Sequence, residues 1–153
     1  AFPGAETWIC PGVERRQPSL RYERFLGDGE GGRVAAELDQ VLVRGGRVMC
    51  EVAMLHRPSR TLLLVDSIEN FTNETPGVNW FVRAFFKAFG MWGTPTPAPE
   101  YRFAWKDRRA ARDSLERILA WDFERIVLSH GDLVDRGAKD VARRAWRGIL
   151  TPR

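Results

Sequence analysis

Apolar residues change their spacing several times along this chain, and each change marks an element. Residues 7–10 form a short apolar run stopped by Pro11-Gly12, which predicts a strand, and the polar, Gly-rich stretch 14–32 predicts mostly loop. From Gln40 the pattern tightens. Residues 40–44 and 47–55 flank Gly45-Gly46, a pair able to supply the positive φ of a tight hairpin turn. Within the second of these strands Val48, Cys50, Val52 and Met54 alternate with Met49, Glu51 and Ala53, a period of two that implies one better-buried face. Pro58-Ser59 then turns the chain into residues 61–65, TLLLV, an unbroken apolar run typical of a strand covered on both sides. The three strands predict a meander.

After the meander the period becomes helical. Val78, Phe81, Val82, Phe85, Phe86 and Phe89 predict an amphipathic helix laid on the sheet, with core packing accounting for its aromatic stripe. The Pro-rich stretch 93–100 predicts a connector. Residues 107–120 predict a second helix with Leu115, Ile118 and Leu119 as its apolar ridge. A strand at 125–129 follows at once, and a last helix at 138–149 is expected to bury Val141, Ala145 and Ile149. A strand meander, two to three helices and a late helix–strand–helix unit indicate a layered α/β domain spanning 1–153.

Composition narrows the class. With 44% hydrophobic residues in 153, the chain can build one core but not two. Its most apolar stretch, 78–92, is interrupted by Arg83 and Lys87 and is too short to cross a bilayer, so the expectation is a cytoplasmic protein with no membrane partner. The opening residues lack an initiator Met, a basic segment and an apolar run, which reads as a start inside a longer protein rather than a signal peptide. Cys10 and Cys50 have no C-x-x-C partner and read as small buried thiols of a reducing compartment. Asn70 with Thr72, and Asn73 with Thr75, fit the glycosylation acceptor pattern but read as turn and cap residues. The net charge of +4 rests on arginine. Arg108, Arg109, Arg112, Arg143, Arg144 and Arg147 fall on predicted helices among acids and apolar residues, as solvated faces do, and this argues against a nucleic-acid partner.

Candidate chemistry lies where two apolar strands end in polar residues. TLLLV stops at Asp66, and RIVLS stops at His130-Gly131-Asp132. In α/β sheets functional groups gather beyond the carboxyl ends of strands, and a carboxylate with an imidazole supplies donors suited to zinc or iron. Asp66 and His130 are therefore the leading metal-ligand candidates, with Asp132 behind them. Each also has a purely structural reading: a loop or helix cap for Asp132 and a hydrogen-bonded turn for His130. His56, the only other histidine, sits beside the Pro58-Ser59 turn, a full strand or about 20 Å from Asp66, too far to share one ion.

Two resemblances bear on these residues. GDLVDRG, from Gly131 to Gly137, resembles the G-D-x-V-D-R-G motif of calcineurin-like phosphatases, but the Asp-x-His and Gly-Asn-His-Glu motifs that accompany it there are absent. HRPSRTLLLVDSIENF, WDFERIVLSHG, the succeeding helix and the opening FPGA together resemble a domain-of-unknown-function family related to metallo-β-lactamase-like hydrolases. That likeness covers nearly the whole chain and implies part of an αβ/βα sandwich, Asp66 as the bridging aspartate and His130 as the late histidine ligand. Val65 replaces the usual Gly before the Asp, and the H-x-H-x-D-H run is absent. The resemblance thus implies a fragment lacking the N-terminal strands and first ligand motif.

The function it implies is metal-dependent hydrolysis of a small-molecule substrate at a carbonyl or phosphoryl centre, with zinc or iron as Lewis acid in the longer protein. Two ligands in this chain imply weak metal binding on its own. The alternatives are a non-catalytic binding protein with a decayed site, supported by the scarcity of histidine, and a calcineurin-like phosphoesterase using Asp132.

Overall fold

A computed structural model describes residues 4–30, 36–47, 50–103 and 105–151. The alternation expected at Val48 and Met49, and Phe2-Pro3 of the FPGA run, lie outside the described residues. The elements in chain order are β1 (Trp8–Ile9), α1 (Val13–Arg16), β2 (Arg24–Phe25), β3 (Gly29–Glu30), β4 (Leu38–Val43), β5 (Glu51–His56), β6 (Thr61–Leu64), α2 (Trp80–Ala88), α3 (Pro99–Phe103), α4 (Arg108–Ala120), β7 (Arg125–Leu128) and α5 (Ala138–Leu150). β1 and β2 form a small parallel pair. The main sheet runs β3-β4-β5-β6-β7, with antiparallel pairing up to β6 and a parallel β6–β7 pair. This is a mixed α/β architecture with five helices rather than two to three; the meander and the late helix–strand–helix unit stand as expected, whereas β6, expected to be covered on both sides, buries Leu62 and Leu64 on one face and leaves Leu63 half-buried on the other.

Side-chain alternation explains the layers. Val41 and Val43, Ala53 and Leu55, Leu62 and Leu64, and Ile126 and Leu128 share one face of the sheet. Onto it pack Ala111, Leu115 and Ile118 of α4 and Ala138, Ala142, Trp146 and Ile149 of α5. Leu62, Leu115, Ile118 and Ile126 are completely buried, each stabilising the fold by roughly 1.5–3 kcal/mol. α5 is turned slightly from its expected phase: Val141 and Ala145 are only half-buried, because the Trp146 indole takes the central position and donates to the carbonyl of Ser67 at 2.9 Å. Arg108 and Arg112 do more than face solvent, since they donate to the carbonyls of Gly148 and Ile149 at the negative end of α5.

Three expectations are corrected. β4 and β5 are not joined by a tight turn: Val43 pairs with Glu51, leaving residues 44–50 as the connection. Gly45 has φ +84°, but for another reason. Its backbone lies against the N-terminus of α4, where a Cβ would overlap the carbonyl oxygen of Asp107, and its own carbonyl accepts from Lys106 and Asp107. The second correction concerns the thiols. Cys50 is exposed on that connection and Cys10 is half-buried beside it; this contact holds the Cys50 thiol down at about 7 and pushes Cys10 up. Third, α2 does not lie on the sheet, whose core face is already filled by α4 and α5. Only Phe86 of its stripe is buried, its ring 4.4 Å from that of Phe71, while Phe81, Phe85 and Phe89 are exposed.

The close approach at Gly45 generates a testable asymmetry. Gly12 has a similar φ of +97° but open space around it. Gly12→Ala should cost about 1–2 kcal/mol of unfolding free energy from backbone conformation alone. Gly45→Ala should cost roughly 2 kcal/mol more, because α4 must shift. Urea unfolding measures both, and equal costs would contradict the docking role of Gly45.

Candidate metal centre

The site is built at the carboxyl ends of the parallel pair β6 and β7. Beyond Leu64 the chain leaves the sheet, and its amide groups need new partners. Glu51, at the first position of β5, provides them. Its buried carboxylate accepts from the amides of Val65 at 2.7 Å, Asp66 at 3.1 Å and Ser67 at 2.8 Å, and from the Ser67 hydroxyl at 3.1 Å. Burial pushes the Glu51 carboxyl above the ordinary glutamate value, and these donors pull against that shift. The loop is fixed further along by Ala98 N donating to Asp66 O at 2.9 Å, and by reciprocal bonds between Glu69 and Thr96 at 2.7 and 3.0 Å. The proline-rich stretch is therefore a strap paired to the site loop.

A second device joins this loop to the end of β7. Asn70 N donates to His130 O at 3.1 Å, Asp132 N donates to Asn70 O at 2.7 Å, and the Asn70 amide group donates to Asp132 O at 2.9 Å. Gly131, with φ +96°, sits so close that a Cβ there would overlap the Asn70 backbone. The parallel pairing of β6 with β7 thus continues past both strands and sets Asp66 and His130 side by side.

Asp66, Glu69 and His130 converge, each offering a ligand atom, with those atoms all within 4.8 Å of one another. His130 Nε2 lies 3.3 Å from Asp66 Oδ1. Glu69 is buried at 8% exposure, and its Oε2 has no hydrogen-bond partner. Burial, then the neighbouring Asp66 and Glu100, push its carboxyl up to about 7. Burial also raises Asp66, with Glu100 adding to the shift and His130 opposing it. Two carboxyl groups therefore crowd one imidazole, with the charge of Glu100 acting on both, and one buried oxygen is left unpaired: a donor set of two carboxylates and a ring nitrogen that suits a divalent cation. His130, half-exposed, also lines a cavity of about 410 Å³ whose other walls include Phe71, Thr75, Val78, Val82 and Ser129.

Asp132 is not brought into this group. Its Oδ2 accepts from the hydroxyls of Thr72 and Thr75, so the GDLVDRG turn organises the loop above the site. Asn70, Thr72 and Thr75 act there as turn residues, as expected. His56 lies at the other end of the meander, where its register partner is Thr61 and its Nδ1 is 2.6 Å from Ser59 Oγ. Glu69 was not among the sequence candidates. Its only signal was an acid three residues past Asp66, just before Asn70. Glu51 gave a clearer one: a carboxylate inside the apolar alternation of a strand.

No protein-family model matches the chain, and none of the curated proteins matches it.

Two outcomes follow from this geometry. Glu51→Ala leaves three amides and a hydroxyl without their acceptor and should cost roughly 3 kcal/mol or more in denaturant unfolding; a cost below about 1 kcal/mol would contradict the clamp. The second concerns pH, measured with a chelator present. Glu69 titrates higher in the folded chain than its ordinary 4.5, at about 7, so between those values the native state binds more protons than the unfolded one. Stability should then fall as pH rises through that window, with Glu69 contributing on the order of 1–3 kcal/mol of the loss. Glu69→Gln should flatten the melting temperature against pH relative to wild type. Parallel profiles for wild type and variant would rule this out.

Proposed function

We propose that Asp66, Glu69 and His130 hold a divalent metal ion, zinc or iron, and that the chain belongs to a metal-dependent hydrolase of the metallo-β-lactamase-like class. The observation that carries this reading is the buried Glu69 carboxylate, which has an unpaired Oε2 and offers a ligand atom within 4.8 Å of those of Asp66 and His130. A buried carboxylate oxygen without a hydrogen donor costs free energy that a cation would recover. Glu69 also brings the number of donors to three, the count at which catalytic zinc keeps one position open. A bound ion would supply Lewis acidity and lower the pKa of water at the site.

This chain's own residues have distinct tasks in that reading. Glu69 and Asp66 form the anionic base of the site, held rigid by Glu51 and by the Thr96 strap. His130 stands at the solvent side, where the 410 Å³ cavity gives a small-molecule substrate access to it. Phe71, Val78 and Val82 make part of that cavity apolar and favour a substrate with a hydrophobic group next to the scissile bond.

The fold is compatible with the finer assignment to an αβ/βα sandwich. Opposite α4 and α5 the sheet presents Leu42, Met54, Leu63 and Val127, half-buried or exposed, the type of apolar face that a second layer covers in a sandwich.

Calorimetric titration of the metal-free chain with zinc tests the reading. One ion per chain is expected, with affinity falling about 100-fold or more in Asp66→Asn and in Glu69→Gln. Asp113→Asn, on the exposed face of α4, should bind as wild type does. Unchanged affinity in both carboxylate variants would refute the assignment.

A further inference from the structure

α2 and the cavity at its carboxyl end form one chemically consistent surface. Trp80 is 79% exposed and Phe81 64% exposed, and Phe85 and Phe89 are exposed beside them. These rings touch: Trp80 and Phe81 meet edge to face at 6.0 Å, Phe85 and Phe89 at 4.7 Å. Ala84 and Ala88, also exposed, complete an apolar face covering about half the helix circumference. The opposite side is anchored, through Phe86 on Phe71 and through Arg83, whose guanidinium lies 4.9 Å from the ring centre of Trp92. The aromatic face is thus presented outward by a fixed helix.

Charge identifies what this face suits. From Pro76 to Pro99 there is no acidic residue, and the exposed Lys87 flanks the apolar face. Where the helix ends, a cavity of about 420 Å³ begins. Gly90 contributes to its wall; Arg102, Arg108, Arg144 and Arg147 line it together with Tyr101 and Trp105, and none of its lining residues is acidic. Two of the arginines are held in place by main-chain carbonyls: Arg102 donates to Phe89 O, the last residue of the aromatic face, at 2.9 Å, and Arg108 donates to Gly148 O. Guanidinium groups fixed around a concave space are suited to a phosphate group, whose oxygens accept several of their planar donors.

We propose that this end of the molecule docks on an anionic phospholipid surface, with a headgroup phosphate in the arginine-lined cavity and the aromatic face of α2 in the interfacial region. A nine-residue helix is about 14 Å long, suited to lying in the interface and far too short to span a bilayer. Trp and Phe on the apolar side with Lys87 on the flank and the arginine-lined cavity at the helix end match the chemistry of such a helix. An exposed aromatic patch of this kind is otherwise unfavourable in water. Because α2 also contributes Asn79 and Val82 to the cavity beside His130, docking sets the candidate metal centre next to the lipid surface. The docking itself does not rest on the metal reading and is measured without metal.

Vesicle co-sedimentation of the full chain, with chelator, provides the test. The wild type should pellet with phosphatidylcholine vesicles containing phosphatidylglycerol, and not with phosphatidylcholine alone, and raised salt should weaken the association. Trp80→Ser with Phe81→Ser should lower affinity about tenfold or more, and so should Arg144→Gln with Arg147→Gln. All four side chains are exposed, so both variants should keep the wild-type melting temperature. Absence of binding to the anionic vesicles overturns the proposal. So does saturable binding of inorganic phosphate without vesicle association, which would make the cavity a site for a free anion. Concentration-dependent dimerisation that the aromatic variant abolishes would assign the face to a second copy of the chain and overturn it as well.

Discussion

The carboxylate of Glu51 accepts four hydrogen bonds, and the shape of the candidate site follows from them. Strand β6 is central, and a central strand must either end in a regular turn or find acceptors for the amides that leave the ladder. Here the acceptor comes from the first residue of the neighbouring strand, so the loop is bent toward the sheet end rather than released into solvent. Burying this carboxyl is unfavourable, and its raised pKa records that. The four donors offset the cost and convert a flexible exit into a fixed one. Trp146, reaching across from α5 to Ser67 O, ties the same loop to the helical layer.

Parallel pairing does the rest. The ends of β6 and β7 point the same way, so residues just past them are neighbours, and Gly131 lets the two loops approach to main-chain hydrogen-bonding distance. Asp66 and Glu69 arrive from one loop and His130 from the other. The result is a small volume with an excess of negative charge and one unpaired buried oxygen. Among the described residues the Tyr101 hydroxyl is the one other buried side-chain polar atom without a partner, and burial above all pushes its ionisation up.

Much of this was legible in the chain. Strand period, the turn at Pro58-Ser59, the apolar run of β6 and the ridge of α4 follow from local rules, and Asp66 and His130 were visible because polar residues ended apolar strands. Three features were not, each because a distant partner decides it. Glycine at position 45 serves the docking of α4 rather than the hairpin, and no neighbouring residue announces that. Glu69 joins the site only because the proline-rich strap pairs with its backbone. The aromatic stripe of α2 has the period of a core helix, but α4 and α5 already occupy the core face of the sheet, so periodicity alone assigned it to the wrong surroundings. Asp132 stood behind His130 in sequence, and the Thr72 and Thr75 hydroxyls that bind its carboxylate keep it out of the site.

Anionic donors at one strand end and arginines around the neighbouring cavity give the molecule strong charge separation despite its modest net charge of +4. The strap from Thr94 to Pro97 lines the arginine cavity and, through Thr96, holds Glu69 in the acidic site. The central claim concerns the acidic side: that the Glu51 clamp and the Asn70–Gly131 junction build a cation site from Asp66, Glu69 and His130. Anomalous diffraction at the zinc edge, from crystals of the chain grown with zinc, addresses it most directly. A peak is expected within coordination distance of all three side chains; a peak at other residues, with these three well ordered and unoccupied, would rule the site out.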